Sequence, residues 1–280
     1  MLPLLLTGGM LYFDRVVRRA SRSSLPSGVL PRQVLLLAFI SILSHPILDT
    51  LNTYGVRWLM PFSGRWFYGD TLFIVDPWVW LVLGVGVGLS RPRRGLREHV
   101  AAGGRPARVA LGVAASYVLA MAASGLTARR IAARELVALT GAPVEALMVA
   151  PMAVTPLVRR VVASQAGSYR VAMYHWLRRP HLDGASLRSY PRGRPETPAV
   201  AAAAATPLGR RFLTWARFPV FSVESVGPAM LVHIVDLRYA ERPGMGFGAV
   251  TISLAHPPAS APSSGTPPAS ASAGPAAPSP

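Results

Sequence analysis

Four apolar stretches fill most of the first 126 residues, and they constrain the fold more than any other feature of the sequence. Residues 71–89 and 109–126 have the length that a transmembrane helix needs, about 20 residues. Residues 33–51 are as long but are interrupted by two ionisable side chains. Residues 2–13 are too short for a complete span. We therefore predict an α-helical transmembrane bundle with three full spans and a partial one at the N-terminus.

The composition agrees with a membrane protein. Apolar residues make up 51% of the chain and charged residues only 15%, which is too apolar for an ordinary soluble domain of 280 residues. The net charge of +17 is carried by arginine without any lysine, a usage typical of a coding bias. Such a charge suits either nucleic acid or an anionic membrane surface. Because the spans are present, we expect the lipid bilayer and its anionic headgroups as partners, and no nucleic acid.

The arginines are distributed unevenly between the loops. Residues 14–32 and 90–108 are rich in arginine, whereas residues 52–70 contain only Arg57 and Arg65. The positive-inside rule then places the two arginine-rich loops in the cytoplasm. We therefore predict a multi-pass protein of a prokaryotic inner (plasma) membrane, with the segment after residue 126 on the extracytoplasmic side.

The residue pattern divides the chain into four parts. A transmembrane domain, 1–126, is followed by an amphipathic connector helix over 127–149 and a small β-rich soluble domain over 150–254. Within that domain, residues 180–207 are rich in Pro, Arg and Ala and predict a loop. Residues 255–280 consist of small residues, Pro and one His, and predict a disordered tail. The β-like runs are 168–177, 219–226, 229–239 and 247–254.

The stretch 44–52 (SHPILDTLN) carries the clearest chemical signal. An ionisable residue inside a span costs roughly 2.5–3.5 kcal/mol at mid-bilayer, so His45 and Asp49 need a reason to be there. On a helix these two residues are four positions apart and share one face with Asn52. Pro46 predicts a kink or break in this span.

Two further carboxylates, Asp70 and Asp76, lie at the outer start of the predicted third span. His45 and Asp49 lie towards the outer end of the second span, so all four can meet at one interface. With no cysteine in the chain, a divalent metal such as Zn, Mn or Fe would be held by imidazole and carboxylate groups of this kind. We predict that these four residues bind one metal and are catalytic, with a metal-bound water as the nucleophile. The residues that would orient the ligands are Ser44 and Asn52.

Each of these residues also has a purely structural interpretation. Asp76 before a proline is a good helix N-cap, and Asp70 suits a solvated loop. Asp49 and Asn52 suit a turn at the membrane edge. His45 taken alone is more often a hydrogen-bonded packing residue than a ligand. Only the joint placement of the four at one membrane level favours the metal site.

The same region resembles a known family of membrane proteins. Its segments are similar, in their order, to the signature of the YdjM-like (YbcI-like) membrane-bound metal-dependent hydrolases. They are 44–55 (SHPILDTLNTYG), 58–63 (WLMPFS), 66–70 (WFYGD) and 73–77 (FIVDP). A looser similarity to longer members of the family covers 217–219 (RFP), 236–239 (DLRY) and 247–248 (FG).

The resemblance implies metal-dependent hydrolysis of an ester or phosphoester near the bilayer. Family members usually carry a motif of the type His-Arg-Gly-x-Thr-His before a first span, and this motif is absent here because Met1 lies inside the corresponding span. We therefore expect either an N-terminally truncated reading of the gene or a metal site without those histidines. The alternatives are a non-catalytic membrane scaffold or sensor and, more weakly, a transporter component.

Overall fold

The computed structural model describes residues 2–20, 31–90, 104–192, 197–227, 229–244 and 246–255, with the backbone alone for 2–3 and 14–20. The tail predicted over 255–280 lies outside the described residues from 256 onwards. More than half of each arginine-rich loop also lies outside them.

Four helices form the N-terminal half of the chain. They are α1 (Leu2–Ala20), α2 (Pro31–Leu51), α3 (Pro77–Ser90) and α4 (Arg105–Thr140). Among the described helices, α2 and α4 are long and apolar enough to cross a membrane, whereas α3 and the apolar segment Leu4–Phe13 of α1 are shorter. The prediction of a bundle with three full spans is therefore wrong. Two candidate spans support a transmembrane bundle only weakly, and they are accompanied by a β-rich region of two sheets.

The span predicted over 71–89 is shortened because its first residues form a loop. The backbone N–H groups of Thr71 and Leu72 both donate to the carbonyl of Leu51, at 2.8 and 2.9 Å, and the side chain of Leu72 is buried. The helix begins only at Pro77. Its 14 residues measure about 21 Å at 1.5 Å per residue, against about 30 Å of hydrocarbon in a bilayer.

Two features place the short helix α3 against α4. A Cβ added at Gly86 would lie 2.3 Å from the Cβ of Ala110, so the two helices approach closely there. Ser90 Oγ accepts a hydrogen bond of 3.0 Å from the backbone N–H of Ala107. In the preceding helix, α2 continues through Pro46 without a break.

The helix α4 joins the two halves of the chain. It ends at Gly141, which has a left-handed conformation (φ 69°) and donates its N–H to the carbonyl of Val137. A separate connector helix was expected over 127–149. In the structure these residues form the last turns of α4 up to Thr140, a turn, and the start of β1. Ala128, Ala132 and Leu136 lie on one face of α4 and are fully buried.

The β-rich region begins with a four-stranded antiparallel sheet in the order β1-β2-β3-β4. Its strands are β1 (Ala146–Pro151), β2 (Val158–Gln165), β3 (Ser168–His175) and β4 (His181–Pro191). The buried face of α4 packs on this sheet against Leu147, Val161 and Tyr174. Because the helix covers it, the sheet and the C-terminal turns of α4 share one hydrophobic core.

A second antiparallel sheet, in the order β5-β6-β7, completes the described chain. It consists of β5 (Pro219–Val226), β6 (Ala229–Asp236) and β7 (Ala249–Ala255), preceded by α5 (Pro198–Ala205) and α6 (Pro207–Trp215). Val200 and Ala203 of α5 pack against Val232 and Ile234 of β6. The loop predicted over 180–207 is wrong, because this segment contains all of β4 and all of α5.

Candidate functional site

His45 and Asp49 form a pair on α2. His45 Nε2 lies 3.4 Å from Asp49 Oδ2, and the two side chains are 83% and 35% exposed. Asn52 Nδ2 donates to Asp49 Oδ1 at 3.5 Å, and Asn52 Oδ1 accepts from the N–H of Tyr54 at 2.7 Å. Ser44 Oγ donates to the carbonyl of Ser41, which anchors it to its own helix. The imidazole and the carboxylate thus share one face of α2, and the amide of Asn52 follows directly after the end of that helix.

Asp70 is buried and paired with an arginine from the other half of the chain. Arg217 Nη1 lies 3.0 Å from both carboxylate oxygens of Asp70. The backbone of Asp70 is left-handed (φ 50°), and Gly69 before it passes so close to α2 that a Cβ would lie 2.4 Å from the carbonyl oxygen of Thr50. Burial raises the pKa of Asp70, and the charge and hydrogen bonds of Arg217 oppose this rise.

Asp76 caps α3. Its Oδ1 accepts hydrogen bonds from the backbone N–H groups of Trp78 and Val79 at 3.1 and 3.2 Å, and its Oδ2 accepts one from the hydroxyl of Tyr117 at 3.2 Å. Satisfying the free N–H groups of a first helical turn is the usual task of an N-cap aspartate. The carboxylate therefore ties α3 to α4 as well as starting α3.

The four predicted ligands therefore have separate partners. Asp70 is engaged by Arg217 and Asp76 by the start of α3, which leaves His45 and Asp49 as a pair. Within the described part of the chain, no group of three or more His, Asp or Glu side chains is arranged to hold a metal ion. These residues, as they are arranged, do not fit the four-ligand site that the sequence analysis predicts.

Sequence reasoning did not assign a role to a second buried ion pair, Asp236 with Arg238. Arg238 Nε and Nη2 lie 2.9 and 2.8 Å from Asp236 Oδ2, and both side chains are completely buried. Arg238 Nη1 donates to the carbonyls of Thr53 and Tyr54 in the family signature, at 2.8 and 3.2 Å. The only sequence signal for this role is the looser family similarity of the segment 236–239.

Aromatic rings surround the two arginines. The guanidinium of Arg217 lies 4.4 Å from the ring centre of Tyr68, and that of Arg238 lies 4.4 Å from Trp215. The rings of Trp215 and Tyr239 are stacked, with centres 5.4 Å apart. Burial raises the pKa of Tyr239 to about 12, so its hydroxyl stays protonated and donates or accepts as a neutral group.

One buried arginine has no carboxylate partner among the described residues. Arg159 of β2 is fully buried, and its Nη2 donates to Met121 O at 3.0 Å and to Ser124 Oγ at 2.6 Å. Its Nε and Nη1 have no hydrogen-bond partner there. Burial lowers the pKa of Arg159 to about 10, because the charged form is poorly solvated.

Two apolar helices of span length and a β-rich region joined to the N-terminal half by buried ion pairs are the features that the comparison with known families has to fit. Residues 1–132 match the sequence model of the YdjM inner membrane protein family, so this part of the chain is similar to that family. This match confirms the resemblance described above. No curated protein and no solved structure matches the chain.

Proposed function

We propose that the chain is a membrane-anchored scaffold or sensor that presents its β-rich region at the bilayer. The two hydrogen bonds between Asp70 and Arg217 carry this proposal, because they use a signature carboxylate to hold the C-terminal half of the chain. A carboxylate paired in this way has its charge neutralised and its oxygens occupied. It serves attachment better than catalysis.

Trp66 of the signature and Trp78, the residue directly after the signature, contribute to the same junction. The indole N–H of Trp66 donates to the carbonyl of Thr214 at 3.0 Å, and that of Trp78 donates to the carbonyl of Val154 at 3.0 Å. Together with the contacts of Arg238 to the carbonyls after α2, these bonds connect both sheets to the ends of α2 and α3. A junction with so many directed bonds favours one fixed orientation of the β-rich region.

The experiment compares variants of the full-length protein in detergent or nanodiscs. In Asp70→Asn, limited proteolysis should cleave the loop between α2 and α3, which contains Asp70, at least several-fold faster than in the unsubstituted protein. His45→Ala and Asp49→Ala should leave the cleavage rate unchanged, since neither residue contacts the β-rich region. Unchanged proteolysis of Asp70→Asn would contradict the proposal. A metal-dependent esterase activity that Asp49→Ala abolishes would also contradict it.

A second candidate is a membrane-bound metal-dependent hydrolase that acts on an ester or phosphoester near the bilayer. The observation that favours it is the exposed pair His45–Asp49, because a carboxylate that orients an imidazole is a common arrangement in both metal binding and general base catalysis. A bound divalent metal would supply Lewis acidity at this pair. The family resemblance points the same way.

Elemental analysis of the purified full-length protein tests this candidate. A stoichiometric divalent metal that His45→Ala and Asp49→Ala both remove would support it, with Leu48→Ala on the same helix as the control. Retention of metal in Asp70→Asn would show that Asp70 is not a ligand. Absence of any stoichiometric metal would exclude the candidate.

A further inference from the structure

A pair of arginines follows the long uncharged segment of α4. Residues 109–128 carry no charged side chain, and at 1.5 Å per residue they measure about 30 Å, the thickness of the hydrocarbon core of a bilayer. Arg129 and Arg130 come next, and both side chains are exposed. If the uncharged segment crosses the bilayer, the two guanidinium groups lie at the level of the lipid headgroups.

Two neighbouring cavities open beside this pair. The smaller, about 180 Å³, lies between α4 and the loop that contains Asp70. The larger, about 430 Å³, lies between α4 and β1 and is lined by both arginines. Leu126 and Arg129 line both cavities, so the two adjoin at these residues, and together they are called the groove here. The groove is large enough for a phosphate group and the glycerol next to it.

The charges in this groove do not cancel. Its two carboxylates already have partners, because Asp70 is paired with Arg217 and Glu145 with Arg192. Arg129 and Arg130 make no hydrogen bond or ion pair with any residue that the structure describes, and the charge of Arg129 acts on Asp70 only at longer range. The groove therefore has two guanidinium groups available for an external anion.

We propose that Arg129 and Arg130 bind the phosphate group of an anionic phospholipid. Guanidinium groups match the geometry of phosphate oxygens and bind them through paired, charge-assisted hydrogen bonds. Leu126, which is 62% exposed, supplies an apolar wall on the side of the uncharged segment, where the glycerol and acyl chains would lie. This wall favours a lipid over a soluble phosphate compound. The site does not depend on whether the protein is a scaffold or an enzyme.

The test uses full-length protein in phosphatidylcholine nanodiscs that contain increasing fractions of phosphatidylglycerol. The unfolding temperature of the unsubstituted protein should rise with phosphatidylglycerol and reach a plateau. In Arg129→Gln/Arg130→Gln the apparent affinity should fall at least about tenfold, since two charge-assisted hydrogen-bonding groups are lost. Both side chains are exposed, so the variant is expected to fold.

The matched control is Arg211→Gln/Arg242→Gln, which removes the same charge from two exposed arginines outside the groove. This variant should retain the stabilisation by phosphatidylglycerol. An equal loss in both variants would show unspecific attraction and would overturn the site. A separate titration with inorganic phosphate in pure phosphatidylcholine distinguishes the source of the anion. If inorganic phosphate alone produces the full stabilisation, the lipid assignment is wrong.

Discussion

Asp70 and Arg217 lie 147 positions apart in the sequence, and one guanidinium nitrogen of Arg217 lies 3.0 Å from both carboxylate oxygens of Asp70. The side chains are 7% and 17% exposed, so the pair is mostly removed from water. Such a pair stabilises the fold little relative to an apolar replacement, but removal of one partner leaves a buried charge. The pair therefore fixes how the β-rich region is attached to the loop after α2.

Replacing Asp70 by Asn should destabilise the protein by roughly 2–4 kcal/mol, because Arg217 would lose its counter-charge in a mostly buried position. Asparagine tolerates the left-handed backbone at this position, so the substitution tests the charge without adding backbone strain. Denaturant unfolding in detergent micelles measures the change.

The double variant Asp70→Asn/Arg217→Gln should be less destabilised than the sum of the single variants, because neither partner is then left with an unpaired charge. Glu224→Gln serves as the control, because the Glu224 carboxylate is 66% exposed and should contribute little to the free energy of unfolding. Additive effects of the two substitutions would contradict a direct energetic coupling of Asp70 and Arg217.

The contact of α3 with α4 gives a second prediction. In Gly86→Ala the new Cβ would lie 2.3 Å from the Cβ of Ala110, so the two helices must move apart. We expect a destabilisation of about 1–3 kcal/mol, the usual range for overpacking. Gly84→Ala and Gly88→Ala are matched controls, because a Cβ at either position meets nothing within 4 Å. These two variants should unfold at or slightly above the original temperature.

How much of this fold the sequence predicts depends on the range of the interactions. The runs 219–226 and 229–239 were predicted as strands, and β5 and β6 confirm them because their alternation is local. The β1 and β2 strands were missed, since continuous apolar residues such as those of 146–151 do not distinguish a buried strand from a helix. The prediction of a full span over 71–89 was wrong, because hydropathy alone does not show that the helix starts only after Asp76.

In the candidate site, too, the local features could be predicted from the sequence and the long-range contacts could not. The spacing of His45 and Asp49 correctly predicts that they share a helix face, because helix geometry alone decides it. The partner of Asp70 was not predictable, since no local pattern connects it to a residue in the second half of the chain. The N-cap role of Asp76 was one of two open interpretations, and the bonds to the first turn of α3 favour it.

Stability at low pH should depend on Glu241. Burial alone would raise the pKa of this carboxyl, but the hydrogen bond from Tyr190 and the charge of Arg160 together hold the pKa below its ordinary value. A carboxyl with a lowered pKa in the folded state stabilises the fold above its unfolded pKa, and this contribution is lost as the pH falls through the folded pKa. The unfolding temperature should therefore drop as the pH is lowered below about 4.5.

Glu241→Gln removes this contribution and should flatten that part of the pH profile. The loss at neutral pH should be about 1 kcal/mol or less, because the carboxylate is 34% exposed and partly screened. An unchanged pH profile in Glu241→Gln would show that other carboxylates govern the acid sensitivity.

Arg159 gives the last prediction, in which the loss of a charge should not weaken the protein. The side chain is fully buried, two of its nitrogens lack hydrogen-bond partners in the described chain, and no described carboxylate forms an ion pair with it, although the charge of Asp70 acts on it at longer range. Replacing such a buried charge with an apolar side chain of similar length is often neutral or stabilising by about 1–4 kcal/mol. Arg159→Met should therefore leave the unfolding free energy unchanged or raise it. Ser124 keeps its own hydrogen bond to the carbonyl of Met121 at 3.1 Å, so few polar groups are left without a partner in Arg159→Met.

Arg159→Ala is the comparison for Arg159→Met. It should destabilise the protein by about 2–3 kcal/mol, because it also leaves a cavity beneath α4. If Arg159→Met were as unstable as Arg159→Ala, the guanidinium charge itself would be required for the fold.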